Sequence, residues 1–175
     1  MKKISRTMTA LFIIITLCHT LIGCQGTSVS SNAICPFSTL DWTATYEDMI
    51  AVEGNGHESY DSVYGGSTYT YTKDYLGETG IIKYMFDAEN KLMCMAWAYT
   101  TDSMDSLDRI YNTIHQQVVK EHGESGFDNA NSTNYGDVWY LESGDILITA
   151  VTTESETALQ YAYLNPAVSN KEAGN

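Results

Sequence analysis

Residues 92–122 read LMCMAWAYTTDSMDSLDRIYNTIHQQVVKEH and carry two periods in succession. From Leu92 to Thr100 the chain alternates, with Leu92, Cys94, Ala96 and Ala98 on one side of a strand and Met93, Met95, Trp97 and Tyr99 on the other. From about Ser103 to His122 the apolar residues recur at steps of three and four: Met104, Leu107, Ile110 or Tyr111, Ile114 and Val118. Asp105, Asp108, Arg109, Gln116 and Lys120 fall outside that stripe, and Gly123 supplies the stop signal. A half-buried strand running directly into an amphipathic helix, with strand-like runs before and after, predicts an α+β fold.

Upstream, a short helix is expected from about Tyr46 to Val52. Thr45 is its N-cap, Asp48 stands three residues on, Glu47 is in the first turn and Gly54 ends it. Strands are expected at 59–64, 68–72 and 81–87, turned at Gly65-Gly66 and Glu89-Asn90. Downstream, a polar loop over 124–134 leads to strands at 137–142, 146–152 and 158–164, with Ser143-Gly144 as a hairpin signal. A helix, a glycine and a meander therefore occur twice, with Gly54 and Gly123 sixty-nine residues apart. The expected architecture is two αβ-meander repeats, about 41–100 and 101–164, with the helices packed on one face of an antiparallel sheet. Each repeat is too small to bury a core alone, so the two share one domain over 41–164.

The N-terminus carries a different signal. Lys2, Lys3 and Arg6 form a basic region, Leu11 to Leu17 an apolar one, and Leu21-Ile22-Gly23-Cys24 follows. This resembles the lipobox of bacterial lipoproteins, which implies a signal peptide over 1–23 and lipid attachment at Cys24. Thr16, His19 and Thr20 interrupt the apolar run, whereas a spanning helix needs about 20 largely apolar residues. Each buried methylene of an acyl chain contributes about 0.8 kcal/mol, so a multiply acylated Cys24 would anchor the chain stably. The implied location is the cell envelope, lipid-anchored on the extracytoplasmic side of a bacterial membrane. Residues 24–40, small and polar with Pro36 near the end, read as a flexible tether, and 165–175 as a disordered tail.

Cleavage after Gly23 would leave 152 of the 175 residues. It removes three basic and no acidic residues, so the formal net charge of −13 becomes −16. A body this acidic has no electrostatic reason to bind nucleic acid and is repelled by anionic headgroups. Of the four cysteines, Cys18 leaves with the signal and Cys24 takes the lipid. Cys35 and Cys94 remain, either as a disulfide in an oxidising compartment or as thiols, Cys94 then as a small core residue. Closing that loop of about 60 residues would contribute roughly 4 kcal/mol in the chain-entropy model.

A scattered set of residues points to a family. Thr45-x-Glu47-Asp48-Met49 opening a helix, Gly54, Tyr84-x-Phe86, Leu92, His122-Gly123, Trp139 and Leu159-x-Tyr161 stand in order. Together they resemble the small envelope lipoproteins of the β-lactamase-inhibitory-protein-like and SmpA/OmlA-like folds, over most of residues 41–164. The resemblance implies tandem α-then-β-meander repeats and protein–protein interaction more than catalysis. The chain departs from the pattern at Gly54-Asn55-Gly56, where a Gly-x-Pro step is common, and after Gly123, where a proline is missing.

Motifs for chemistry are sparse. His115 and His122 are seven apart, not at the i, i+4 spacing of a helical zinc site, and His122 suits the C-terminal end of a helix dipole. His57 stands in a turn beside Glu58. No Gly-x-Ser-x-Gly elbow or phosphate-cradling glycine loop occurs, and residues 128–134 miss calcium-loop spacing. Neither a metal, a cofactor nor an enzymatic activity is expected. The aromatic content is more informative: thirteen tyrosines and three tryptophans. If a helix packs on the small side of strand 92–100, then Met93, Met95, Trp97 and Tyr99 line an open face with Tyr69, Tyr71, Tyr84 and Trp139. Met and aromatic side chains of that kind serve binding surfaces, and equally the thicker side of a core. The expected function is a non-catalytic module that binds an envelope protein or peptide; the alternative is an accessory or sensor lipoprotein for a small molecule or ion.

Overall fold

The computed structural model describes residues 33–130, 134–152 and 157–169. Cys24 and the signal segment lie outside them. In chain order the elements are α1 (Tyr46–Glu53), β1 (Glu58–Asp61), β2 (Gly65–Tyr75), β3 (Glu78–Asp87) and β4 (Leu92–Thr101). Then come α2 (Met104–His122), β5 (Phe127–Ala130), β6 (Asn134–Trp139), β7 (Ile146–Thr152) and β8 (Thr157–Leu164). The strands form one antiparallel eight-stranded sheet in the order β1-β2-β3-β4-β8-β7-β6-β5. Adjacent strands are joined by hairpins except at the centre, where β4 pairs with β8. The class is α+β.

Local chemistry fixes the element ends. Thr45 Oγ1 accepts from the Asp48 backbone N–H, and Asp48 returns a carboxylate to the Thr45 N–H, closing a capping box. In α2, Ser103 caps the start, Leu107, Ile110, Ile114 and Val118 form the buried stripe, and Gly123 at φ 83° ends it. Leu76-Gly77, both at positive φ, make the two-residue turn between β2 and β3.

Both helices pack on the same face of the sheet. One core cluster joins Met49 of α1 and the stripe of α2 to Ile82, Tyr84, Met95, Trp97, Ile148, Tyr161 and Tyr163. The expected orientation of β4 is therefore reversed. Its large residues, not its small ones, face the helices: Met95 and Trp97 are fully buried, and Tyr99 is 7% exposed. The physical reason is volume, since close packing between a sheet and a helix layer is met by large side chains.

Two chain segments also differ from expectation. Within 24–40, the part from 33 onward is packed rather than loose: Cys35, Phe37, Ser38 and Leu40 are buried, and Phe37 sits edge-on to Tyr75, Tyr161 and Tyr163. Residues 165–169 are held as well, with Asn165 donating from its backbone N–H to Met93 O and from Nδ2 to Leu92 O, both at 2.8 Å. Finally, the polar stretch after Gly126 contains β5, an edge strand paired only to β6.

Candidate functional site

Alternation along the strands gives the sheet a second face, on which no helix packs among the described residues. The register places Cys94, Ala96, Ala98 and Thr100 of β4 beside Leu164, Ala162, Gln160 and Ala158 of β8. Outward on one side come Met85, Lys83 and Ile81, then Thr68, Thr70 and Thr72, then Tyr60 and Glu58. On the other come Leu147, Thr149 and Val151, then Val138 and Gly136. The central pair, β4 and β8, thus presents uncharged side chains, five of the eight being Cys or Ala. Cys94, Ala96 and Ala162 are buried there beneath partly buried Tyr64, Met85, Leu147 and Leu164.

A groove of about 410 Å3 opens on this face over Cys94 and Ala162, walled by Tyr60, Tyr64, Met85, Leu147 and Leu164. Its polar lining comes from Thr68, Gln160 and Asp61, the last the only charged one among the described residues. Burial pushes the Cys94 thiol up to about 12, and the Tyr64 phenol likewise to about 12. Both are therefore neutral at physiological pH, which keeps the floor apolar. Large apolar side chains stand exposed on or beside this face: Tyr60 at 52%, Val63 at 87%, Ile81 at 47% and Val151 at 44%.

The residues expected to form a binding surface lie on the opposite side. Tyr71, Tyr84, Met95, Trp97, Tyr99 and Trp139 belong to the core under the helices, with Tyr69 packed against it. Trp97 stacks on Tyr99 and donates its indole N–H to Lys73 O at 3.0 Å. Trp139 donates to Gly123 O at 2.9 Å, fastening the end of α2 to β6. Met93 is buried too, at 7% exposure. As an open interaction face this set is overturned.

The two described cysteines are free thiols on opposite sides of the sheet, Cys35 in the helix-side core and Cys94 in the small cluster of the other face. No disulfide joins them. Burial raises Cys35 to about 12 as well.

Two polar networks lie between helices and sheet. Near α1, Glu53 pairs with Lys73 at 2.8 Å and accepts from Tyr84 OH at 2.7 Å, while Ser38 Oγ lies 2.9 Å from the same hydroxyl. This network binds the N-terminal segment, α1, β2 and β3 to one another, and burial drives the Tyr84 phenol far above its ordinary value. Near α2, buried Asp137 accepts from Ser125 Oγ at 2.8 Å and from Tyr111 OH, with His115 Nε2 3.5 Å away. A hydrolytic triad places the imidazole between serine and carboxylate. Here the carboxylate occupies the middle, with Ser125 donating its hydroxyl hydrogen bond to Asp137, and the cluster ties α2 and its following loop to β6.

His57 is packed among Tyr46, Tyr69 and Tyr71, with Nδ1 3.3 Å from Tyr71 OH. His122 borders a second cleft of about 440 Å3, with Glu121, Trp42, Ser143 and residues 33–36. Among the described residues, no group of three or more His, Cys, Asp or Glu side chains is arranged to hold a metal ion. Nor is any described helix long and apolar enough to cross a membrane. The open groove was not anticipated from the sequence; the alternation in β4 was its signal, assigned to the wrong side. The chain matches no protein-family model, no curated protein and no solved structure.

Proposed function

We propose that this chain is a membrane-anchored extracytoplasmic lipoprotein acting as a non-catalytic protein-binding module, with its partner docked on the helix-free face of the sheet. The observation that carries the reading is the pavement of that face. An antiparallel sheet with one wet face ordinarily alternates apolar-in with polar-out. Here the central outward positions are Cys94, Ala96, Ala98 and Thr100 of β4 and Ala158, Gln160, Ala162 and Leu164 of β8, five of the eight being Cys or Ala and none charged, and a groove with apolar walls opens over Cys94 and Ala162. Exposed Tyr60, Ile81 and Val151 add contact area of the kind that partner surfaces use. Lipid on Cys24, as the lipobox resemblance implies, supplies the membrane attachment that an acidic body does not.

The same reading takes the chain as two αβ-meander repeats, α1 to β4 and α2 to β8, meeting where β4 pairs with β8. The element order and the mirrored strand order support it. So does the likeness in pattern to the β-lactamase-inhibitory-protein-like and SmpA/OmlA-like lipoproteins.

The test places a photo-crosslinking residue at Thr70, Ile81 or Thr149 on the open face, and at Gln116 on α2, in the full-length protein in living cells. The reading expects adducts of one size from the open-face positions and none from Gln116. Adducts from Gln116 alone would overturn it. In parallel, Cys24→Ala should move the protein from the membrane to the soluble fraction without unfolding it. A variant that still partitions fully with membranes would refute the anchor.

A further inference from the structure

The chain enters the fold at one end of the sheet and on its helix side. Ala33 to Pro36 border the cleft shared with Glu121, His122 and Ser143. Trp42 Nε1 donates to Ser143 O at 3.2 Å, and Phe37 sits edge-on to Tyr161 and Tyr163 in the helix-side core. The antiparallel register gathers at this end the β3–β4 and β6–β7 turns, the last turn of α2 and the close of β8. The opposite end carries the Leu76-Gly77 turn and the link from β4 to α2. Because Cys35, Phe37, Ser38 and Leu40 are buried, the stretch between the lipid site expected at Cys24 and the fold ends near Ala33 rather than at residue 40. Nine peptide steps separate Cys24 from Ala33, and they span at most about 30 Å. Beyond that point the strands β2, β3, β4 and β8, of 8 to 11 residues, extend the body by about 27–37 Å.

Charge adds a direction. The formal net charge is −13, and −16 after the expected cleavage, so anionic headgroups repel the body. The attached end offers no basic surface to lie on lipid: exposed Glu89, Glu121, Glu124 and Glu142 outnumber exposed Lys91 and Lys120 there. The repulsion reaches about one Debye length, roughly 8 Å at physiological salt, and so acts on whatever area comes that close. Lying flat brings a whole face of an acidic body into that layer, whereas standing on the attached end brings only a few turns. Resting on the lipoprotein reading above, we propose that the domain stands end-on to the membrane. The turns at 87–91 and 141–145 are nearest the bilayer, and Leu76-Gly77 and the start of α2 point away from it. The strands then run outward from the membrane. Since the chain enters on the helix side, its attachment does not cross the helix-free face, which is presented sideways and clear of lipid.

The experiment uses the full-length lipidated protein in vesicles of phosphatidylcholine and phosphatidylglycerol whose headgroups carry an energy-transfer acceptor. A donor dye is attached at Glu89→Cys, in the β3–β4 turn, or at Asp102→Cys, between β4 and α2. Both positions are exposed, whereas Cys35 and Cys94 are buried. The proposal expects transfer to be about twofold or more stronger from Glu89→Cys, because a strand length separates the two positions. It expects that contrast to shrink in phosphatidylcholine alone. It also expects transfer from both positions to fall when glycine and serine residues are inserted ahead of Ala33. Equal transfer from the two positions, or stronger transfer from Asp102→Cys, would overturn the proposal. So would a contrast unchanged by removing the phosphatidylglycerol, since charge is what sets the direction. Mass spectrometry of Cys24 separates this proposal from the reading it rests on. No lipid on that residue would remove the anchor and the end-on arrangement together, whereas lipid present with equal transfer would remove only the arrangement.

Discussion

Replacing Trp97 by alanine should be a lesion in the core, not in a binding surface. Trp97 is fully buried, stacked on Tyr99 and edge-on to Tyr75, with its indole N–H on Lys73 O. A tryptophan buries about 150–250 Å2, which at about 25 cal/mol/Å2 is roughly 4–6 kcal/mol of transfer free energy. Alanine keeps part of this and the neighbours relax, so the expected loss is about 3–5 kcal/mol. Loss of the indole hydrogen bond to Lys73 O adds about 1 kcal/mol. Against a typical domain stability of about 5–15 kcal/mol, Trp97→Ala should remain folded only marginally. Urea unfolding followed by circular dichroism measures this directly, and the melting temperature should fall by about 10–20 °C. Ile81→Ala, on the helix-free face and 47% exposed, serves as the control and should change stability by about 0.5 kcal/mol or less. A loss below about 1 kcal/mol for Trp97→Ala would refute the assignment of the two faces. The same logic disqualifies Trp97→Ala as a probe of partner binding, since lost binding and lost folding would coincide.

Three further outcomes follow from the same packing. Stability should decline at alkaline pH: the buried Cys35 and Cys94 hold their protons to about 12 against an ordinary value of 9.0, so their contribution is complete below pH 9 and is lost as pH rises toward 12. Each such thiol removes about 1.4 kcal/mol per pH unit in that window, the buried tyrosines act in the same direction above pH 10, and urea midpoints at pH 7, 9 and 10.5 would show the fall. Tyr84→Phe removes the hydroxyl shared by Ser38 and Glu53 and should cost about 1–3 kcal/mol, with faster hydrogen exchange over residues 35–40. Gly66→Ala would place a Cβ 2.1 Å from Asp87 O and force β2 from β3, costing about 1–3 kcal/mol in thermal melts, whereas Gly56→Ala, with nothing within 4 Å, should leave the melt unchanged.

Periodicity carried most of the architecture. The steps of three and four in α2, the capping box at Thr45 and the run of β7 are legible because each is a local pattern that the tertiary structure does not override. Four features escaped for identifiable reasons. Strand β5 is short, polar and at the sheet edge, so its backbone pairing with β6 leaves no hydrophobic alternation to read. The segment around Phe37 follows a serine-rich stretch and looks like tether by composition, yet Cys35, Phe37 and Leu40 bring enough apolar surface to close the open side of the Tyr161–Tyr163 cluster. The third concerns direction. Alternation in β4 divides its side chains correctly into two sets but does not say which set meets the helices. That is decided by volume: Met95, Trp97 and Tyr99 fill the gap beneath α1 and α2, and Ala96 cannot. The groove escaped for another reason, since its walls come from β1, β3, β7 and β8 and meet only through the pairing of β4 with β8.

The assignment of the two sheet faces underlies every functional statement made for this chain, and hydroxyl-radical footprinting of the full-length protein tests it most directly. Labelling rates read by mass spectrometry should be high at Tyr60, Val63, Ile81 and Val151 and strongly suppressed at Tyr84, Trp97, Trp139 and Tyr161, according to their exposure. Trp97 and Tyr84 labelled as fast as Tyr60 would mean that the aromatic face is open to solvent, and the account would be wrong.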